Sequence, residues 1–298
     1  ELLAKCLEAR EDGADIVAQV ANRPFGMLLG LTSRHPFSRR ATFDRLKQET
    51  GSLSELVAEL RKPEVRAAIT AELDALPAGT NPAERFPYLF AMDEHATYDR
   101  SPDECLKRRA AARGVSLYEL AYDVLLERDG RGAIMVPVNN FASGTQREVR
   151  EMLTHPLTVP GLGDAGAHCT MICDGSFPTY LASYWSRDAR TEDRLPIEWV
   201  VQRQCADTAA IVGLHDRGRL VPGLRADVNL IDHDALAISA PEMLYDLPAN
   251  GKRLVQRATG YVATMVAGEV TYRDGQPTGA LPGRLVRGSR TAGGSHGA

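Results

Sequence analysis

The stretch TVPGLGDAGAH, Thr158 to His168, gathers glycines around one acid. Gly161, Gly163 and Gly166 have the G-x-G-x-x-G spacing of a turn that cradles a pyrophosphate. Asp164 stands among them, and His168 follows four residues later. A phosphate turn must run straight into a helix whose amino end faces the ligand. Here Gly166 leads into AHCTMICDGSFP, which carries Gly175 and Pro178 and no helical apolar stripe. Asp164 would also set a negative charge against an anionic ligand. The dinucleotide reading fails on both grounds. A different chemistry suits the acid. A carboxylate at the carboxyl end of a parallel strand sits where β/α barrels keep their catalytic groups. There it can bind a metal and accept a proton from metal-bound water. An Asp beside glycine also serves as a turn residue bonded to its own backbone. The residues alone leave these two roles open.

The elements that would position Asp164 alternate between helix and strand. Leu2 to Asp12 reads as a helix capped by Gly13, followed by a short apolar strand at Ile16 to Val20. Ser116 and Glu119 form a capping box ahead of the stripe Leu117, Leu120, Ala121, Val124 and Leu125. That helix stops near Gly130. Gly132 to Val138, GAIMVPV, is nearly all apolar, as in a parallel strand buried on both faces. It ends in Asn139 and Asn140. SGTQREVREMLTH reads as a helix and LTVPGLGD as the next strand. This β-α-β order predicts an α/β fold with a parallel sheet or a β/α barrel.

Residues 32–100 are less regular and read as an insertion. Ser52 and Glu55 form a second capping box, Pro63 breaks a helical pattern that runs to Leu76, and PAGTNPAERFP from Pro77 reads as loop. After an aromatic loop, LPIEWVVQRQCADTAAIVGL reads as a helix ending at Gly213. From Arg217 the pattern changes to alternating apolar residues and turn glycines, a small antiparallel β module. The expected division is 1–216, 217–288 and a disordered polar tail at 289–298.

The formal charge of −4 and 25% charged residues lack the basic face that nucleic acid demands. No apolar run reaches the ~20 residues of a membrane span. The five cysteines have scattered spacings, which argues for a reducing, cytoplasmic setting without a disulfide framework. Cys169 and Cys173 lack a second ligand pair and read as small buried residues or free thiols. Glu1 already lies in a helical pattern, so the chain is expected to begin inside something larger.

The segments GLGDAGAH, CDGSFPTYLASYWSRD, GLHDRGRLVPGLRADVNLIDHDAL and GYVATMVAGEVTYRDGQPTGALPGRLVRG resemble the amidohydrolase superfamily. The nearest branch is that of N-acyl-D-amino-acid deacylases (D-aminoacylases). The resemblance runs from Gly114 to Gly288 and more loosely over Leu2 to Phe37. Its most specific part is G-x-x-x-P-G-x-x-A-D, Gly218 to Asp227, which the family places in a small β-sandwich. The resemblance implies the C-terminal part of a (β/α)8 TIM-like barrel plus part of that sandwich. It implies a divalent-metal hydrolase, usually with zinc, that cleaves a non-peptide C–N bond in a small-molecule amide. An N-acyl amide is the first expectation and a cyclic amide the alternative. Asp164 matches the family's catalytic, metal-binding acid. It would deprotonate the hydrolytic water and return the proton to the leaving amine.

Several features depart from the family pattern. No H-x-H occurs in the chain, so most metal ligands and the first strands are expected before Glu1. The alternative reading is therefore a truncated, non-catalytic fragment. The strand DIVAQV lacks the family's His, which leaves Gln19 or Arg23 to face the site. The family's carboxylate-gripping Arg has no counterpart before Arg187.

Three further residues are candidates for substrate binding, each with a plainer role. His168 can bond Asp164 or substrate, or sit as a loop histidine. Asn139 can donate to a substrate carbonyl or cap the strand end. Arg187 can bind a carboxylate or pair with Asp188 or Glu192. Tyr184 and Trp185 read as core or pocket wall. His35, His95, His155, His215 and His233 read as structural or exposed.

Overall fold

The computed structural model describes residues 2–72, 81–163 and 168–286. The expectations for Asp164, Gly166, Leu76 and the tail at 289–298 lie outside them. The chain opens with helix α1 (Leu2–Glu11), strand β1 (Ala18–Val20) and strand β2 (Phe25–Gly30). Helices α2 (Ala41–Glu49), α3 (Leu53–Leu60) and α4 (Pro63–Ala71) follow. Ser52 Oγ accepts from Glu55 N at α3, while the Glu55 carboxylate reaches Gly51 N. Pro63 starts α4, where its missing N–H removes no helical bond.

Next come α5 (Pro82–Arg85), β3 (Phe90–Ala91), α6 (Leu106–Arg113) and α7 (Leu117–Gly130). Helix α5 corrects the loop expected over PAGTNPAERFP. The capping box of Ser116 and Glu119 opens α7. Its last turn leaves helical geometry at Glu127, Arg128 and Asp129, and Gly130 has φ +80°.

Strand β4 (Ala133–Asn139), helix α8 (Arg147–Thr154) and strand β5 (Thr158–Pro160) complete this half. β1 and β5 run parallel, with Ala18 opposite Thr158 and Val20 opposite Pro160. β4 departs from expectation, because it pairs antiparallel with both β2 and β3. The reason lies in what a continuous apolar run reports. Ile134 and Val136 join one core cluster with Leu29, Phe37, Leu60 and Leu125. Met135 joins the other, with Val20, Leu28, Leu181 and Trp185. Two-sided burial was readable from the run; strand direction was not.

The aromatic stretch after His168 is also not a loop throughout. Helix α9 (Phe177–Ser183) continues into a π-helical turn, Tyr184–Asp188. Phe177, Tyr180, Leu181 and Trp185 fall on one buried stripe. Pro178 lies in the first turn and so permits the helix. Helix α10 (Ile197–Gln202) passes through a π-helical turn, Arg203–Asp207, into α11 (Thr208–Ile211). Gly213, with φ +73°, ends the run.

From Arg217 onward the pairings are antiparallel. The strands are β6 (Val228–Ile231), β7 (Ala237–Ile238), β8 (Glu242–Leu247), β9 (Gly251–Val255), β10 (Ala258–Thr259), β11 (Tyr261–Val266), β12 (Glu269–Arg273) and β13 (Gln276–Pro277). The largest sheet has the order β13-β12-β11-β6. Among the described residues no sheet closes into a ring; the chain is a mixed α/β fold of small sheets. No helix among them is long and apolar enough to cross a membrane.

The Gly218–Asp227 motif has a local physical cause. Leu224 N bonds Val221 O across Pro222-Gly223, and Gly223 has φ +91°, the geometry of a type II turn. Asp227 then accepts from Ala267 N at 2.8 Å and pairs with Arg225 and Arg217. It thereby ties the entry of β6 to the β11–β12 turn. Burial pushes its carboxyl up, but the Ala267 N–H and then Arg225 and Arg217 together outweigh this and hold it below the usual range. Asp227→Ala should lower stability by about 1–2 kcal/mol, since a charge-assisted bond to backbone is lost at a partly exposed site. Thermal unfolding checks this; an unchanged midpoint would remove Asp227 from the turn's stability.

Candidate active site

The carboxyl ends of β1 and β5 bring the sequence's candidate segment together with the start of β2. Gly161 N donates to Val20 O at 3.0 Å, extending the parallel ladder by one bond. A Cβ on Gly161 would lie 2.9 Å from Gln19 atoms, so close approach of the two strands requires glycine there. The sharp turn is made elsewhere. Leu162 has φ +64° and His168 has φ +48°, so non-glycine residues on both sides of Asp164 hold left-handed backbone. Such a conformation costs roughly 1–2 kcal/mol for a residue with a Cβ.

His168 is exposed, and its carbonyl accepts from Met171 N and Ile172 N. Asn139 is exposed at the end of β4, opposite Phe25. The strand-end bonds belong to its neighbour: Asn140 Nδ2 donates to Ala21 O at 2.9 Å and to Arg23 O at 3.4 Å. Arg187 lies away from this cluster. Its Nε and Nη2 fork onto Asp188 at 2.7 and 2.9 Å. The remaining donors reach the carbonyls of His233, Asp234 and Leu236. All five N–H donors of a guanidinium are thus engaged. Arg187 tethers α9's continuation to the β7 region and keeps none for a substrate carboxylate. Ser186 Oγ and His233 Nε2, 2.8 Å apart, reinforce the same seam.

Sequence reasoning missed the polar cluster around Arg23, after the end of β1. Arg23 was expected to face the site, yet it is only 1% exposed. Its guanidinium lies 3.9 Å from the Tyr98 ring centroid and 4.3 Å from that of Phe177. Nη2 donates to Cys173 O at 3.0 Å and to Asp174 Oδ1 and Ser176 Oγ at 3.3 Å. Gln256 links Ser176 to Tyr98. Burial pushes the Cys173 thiol up to about 11, against the pull of Arg23, and raises the Tyr98 phenol. Both are neutral at pH 7, which suits a fixed scaffold rather than a nucleophile. The one available signal was an Arg three residues past a strand end; its partners lie about 150 residues away in sequence.

Trp185 is buried as expected of core, and its indole N–H donates to Asn22 O at 2.7 Å. A cavity of about 760 Å³ opens elsewhere, at the end of the β2–β4 ladder beside Gly132 and Ala133, where β4 begins.

A divalent ion does not fit the described residues. Among them no group of three or more His, Cys, Asp and Glu stands close enough to hold one. Cys169 and Cys173 are free, with Cys169 Sγ 3.9 Å from Lys252 O.

Comparison with known proteins places the chain. Two solved structures are similar in part. A D-aminoacylase shares 22% identity over 78% of this chain and 46% of its own, with a TM-score of 0.37. An N-acyl-D-glutamate deacylase from Bordetella bronchiseptica, complexed with zinc and a phosphonate inhibitor, shares 21% over 92% of this chain and 44% of its own, with a TM-score of 0.40. The chain spans less than half the length of either. No match is found among the curated proteins compared. A family model described as "Amidohydrolase family" matches residues 8–272, a span that takes in β1, β5, Asp164 and the Gly218–Asp227 turn, and the chain therefore belongs to the amidohydrolase family.

Proposed function

We propose that the protein hydrolyses the C–N bond of a small-molecule amide, with Asp164 as its proton acceptor and donor. One observation carries the reading. Asp164 follows the carboxyl end of β5, a strand parallel to β1, between two residues in left-handed backbone, Leu162 and His168. Strain of this kind clusters at functional sites. In this reading β1 and β5 belong to the closing part of a β/α barrel, and its mouth holds the reacting amide.

The chemistry assigned to the chain is a proton cycle. Water oxygen bonds the amide carbon while Asp164 takes a water proton. The C–N bond then breaks as Asp164 gives that proton to the departing nitrogen. The products are a carboxylic acid and an amine. No step is assigned to a metal, because the described residues do not fit one. His168 and Asn139, both exposed, are the groups this reading offers to the substrate carbonyl. An N-acyl amide, with an N-acyl-D-amino acid as one candidate, is the substrate class. A panel of N-acyl amides and cyclic amides, scored by amine release or ring opening, tests this. No turnover of any member would sink the reading. Turnover of the cyclic amides alone would shift it to ring hydrolysis.

The same donor inventory makes a prediction about metal. The purified 298-residue chain should retain no stoichiometric zinc after dialysis, as read by elemental analysis. One tightly held zinc per chain would overturn this and require a ligand set outside the described residues.

A further inference from the structure

Resting on the reading of Asp164 above, we infer that Arg23 is a positioning residue, clamping the Cys173–Ser176 stretch to the carboxyl end of β1. Described residues on either side of Asp164 are bound to the same short stretch. On the near side Gly161 N donates to Val20 O at 3.0 Å. On the far side Arg23 Nη2 donates to Cys173 O at 3.0 Å and to Asp174 Oδ1 and Ser176 Oγ at 3.3 Å. Asn22 Nδ2 adds Phe177 O at 2.9 Å. Residues 20–23 thus bind both Gly161 and the stretch from Cys173 to Phe177 that opens α9.

The arrangement asks for an Arg in particular. The guanidinium is packed against the rings of Tyr98 and Phe177 and forks to several acceptors at once. A lysine ammonium has neither the plane nor the fork. Stability alone gives a weak reason for a charge here. Buried ion pairs seldom outperform apolar packing, and Arg23 Nε has no partner among the described residues. What the buried guanidinium supplies is fixed direction between β1 and the far flank. Catalysis is sensitive to such placement: a misplacement of about 1 Å can cost about 10²-fold in rate.

The test uses Arg23→Lys with Arg40→Lys as its control. Arg40 is also buried, against Phe37 and Tyr118, and bonds the carbonyls of Ile69 and Thr70 at the end of α4. Arg23→Lys should raise hydrogen exchange at the amides of Met171, Ile172 and Phe177 by about tenfold or more, with α3 and α7 unchanged. It should lower kcat on the amide substrate by about 10–100-fold with little change in KM. Arg40→Lys should lower the melting temperature without either effect. Unchanged exchange in Arg23→Lys, or an equal rise in Arg40→Lys, would show there is no clamp. Raised exchange with unaltered kcat would show that the clamp positions nothing the reaction needs. Absence of amide hydrolysis in the unsubstituted protein would remove the positioning role together with the reading of Asp164. The exchange result would still report, separately, whether the clamp exists.

Discussion

Asp164→Asn should reduce kcat for amide hydrolysis by about 10²–10⁴-fold, the range that a positioned general acid–base group contributes. The substitution keeps the size of the side chain and its ability to accept a hydrogen bond. It removes the ability to take a proton from water and return it to nitrogen. The loss should therefore fall on kcat and on kcat/KM alike, because the missing interaction belongs to the transition state. Melting temperature should change little. The acid limb of the kcat/KM profile, set in the unsubstituted protein by protonation of the carboxylate, should flatten in the variant. Near-normal turnover in Asp164→Asn would falsify the assignment. So would a large loss of folded protein in step with the loss of rate, since that would make the residue a turn former.

The sequence carried more of the local structure than of its assembly. Ser116 with Glu119, and Gly13 and Gly213, marked element ends correctly, because caps are decided by neighbours a few residues apart. The apolar run at Ile134–Val136 disclosed two covered faces, yet β4 could not reveal its antiparallel partner β2, whose FGMLLG was not read as a strand. Pro178 hid α9, because a proline in a first turn looks in sequence like one that breaks a helix. Around the candidate site the acid and its glycines stood out. Arg23 was read as facing the site, and its burial was missed, because a buried arginine is recognised only by acceptors and rings brought from residues 98, 173–177 and 256. Arg187, a plausible carboxylate binder in sequence, is committed to carbonyls that lie some 46–49 residues further on.

The second large effect concerns acid stability and rests on His35. Its ring is buried, with the Phe43 ring centroid 4.3 Å away, and its Nδ1 accepts from Phe37 N at 3.3 Å. Protonating Nδ1 would set a donor against a donor in an apolar pocket. Burial first, and the Lys47 charge second, lower its pKa from 6.5 to about 3. The unfolded chain takes up a proton near pH 6.5 while the folded chain refuses it. Stability from this group is therefore complete above about pH 6.5 and is lost as pH falls toward 3. A tenfold change in proton affinity corresponds to about 1.4 kcal/mol, so the whole window amounts to about 4–5 kcal/mol. That is a large share of the ~5–15 kcal/mol that holds a typical domain folded. His35→Asn keeps an acceptor for Phe37 N and removes the titration. Urea unfolding between pH 7 and 4 should show the unsubstituted protein losing stability with a steeper slope than the variant. The difference should approach about 1.4 kcal/mol per pH unit below 6. Carboxylates titrating in the same range act on both proteins and cancel in the comparison. Parallel slopes would show that His35 takes up its proton without unfolding the pocket, and would leave acid sensitivity to groups such as Asp227.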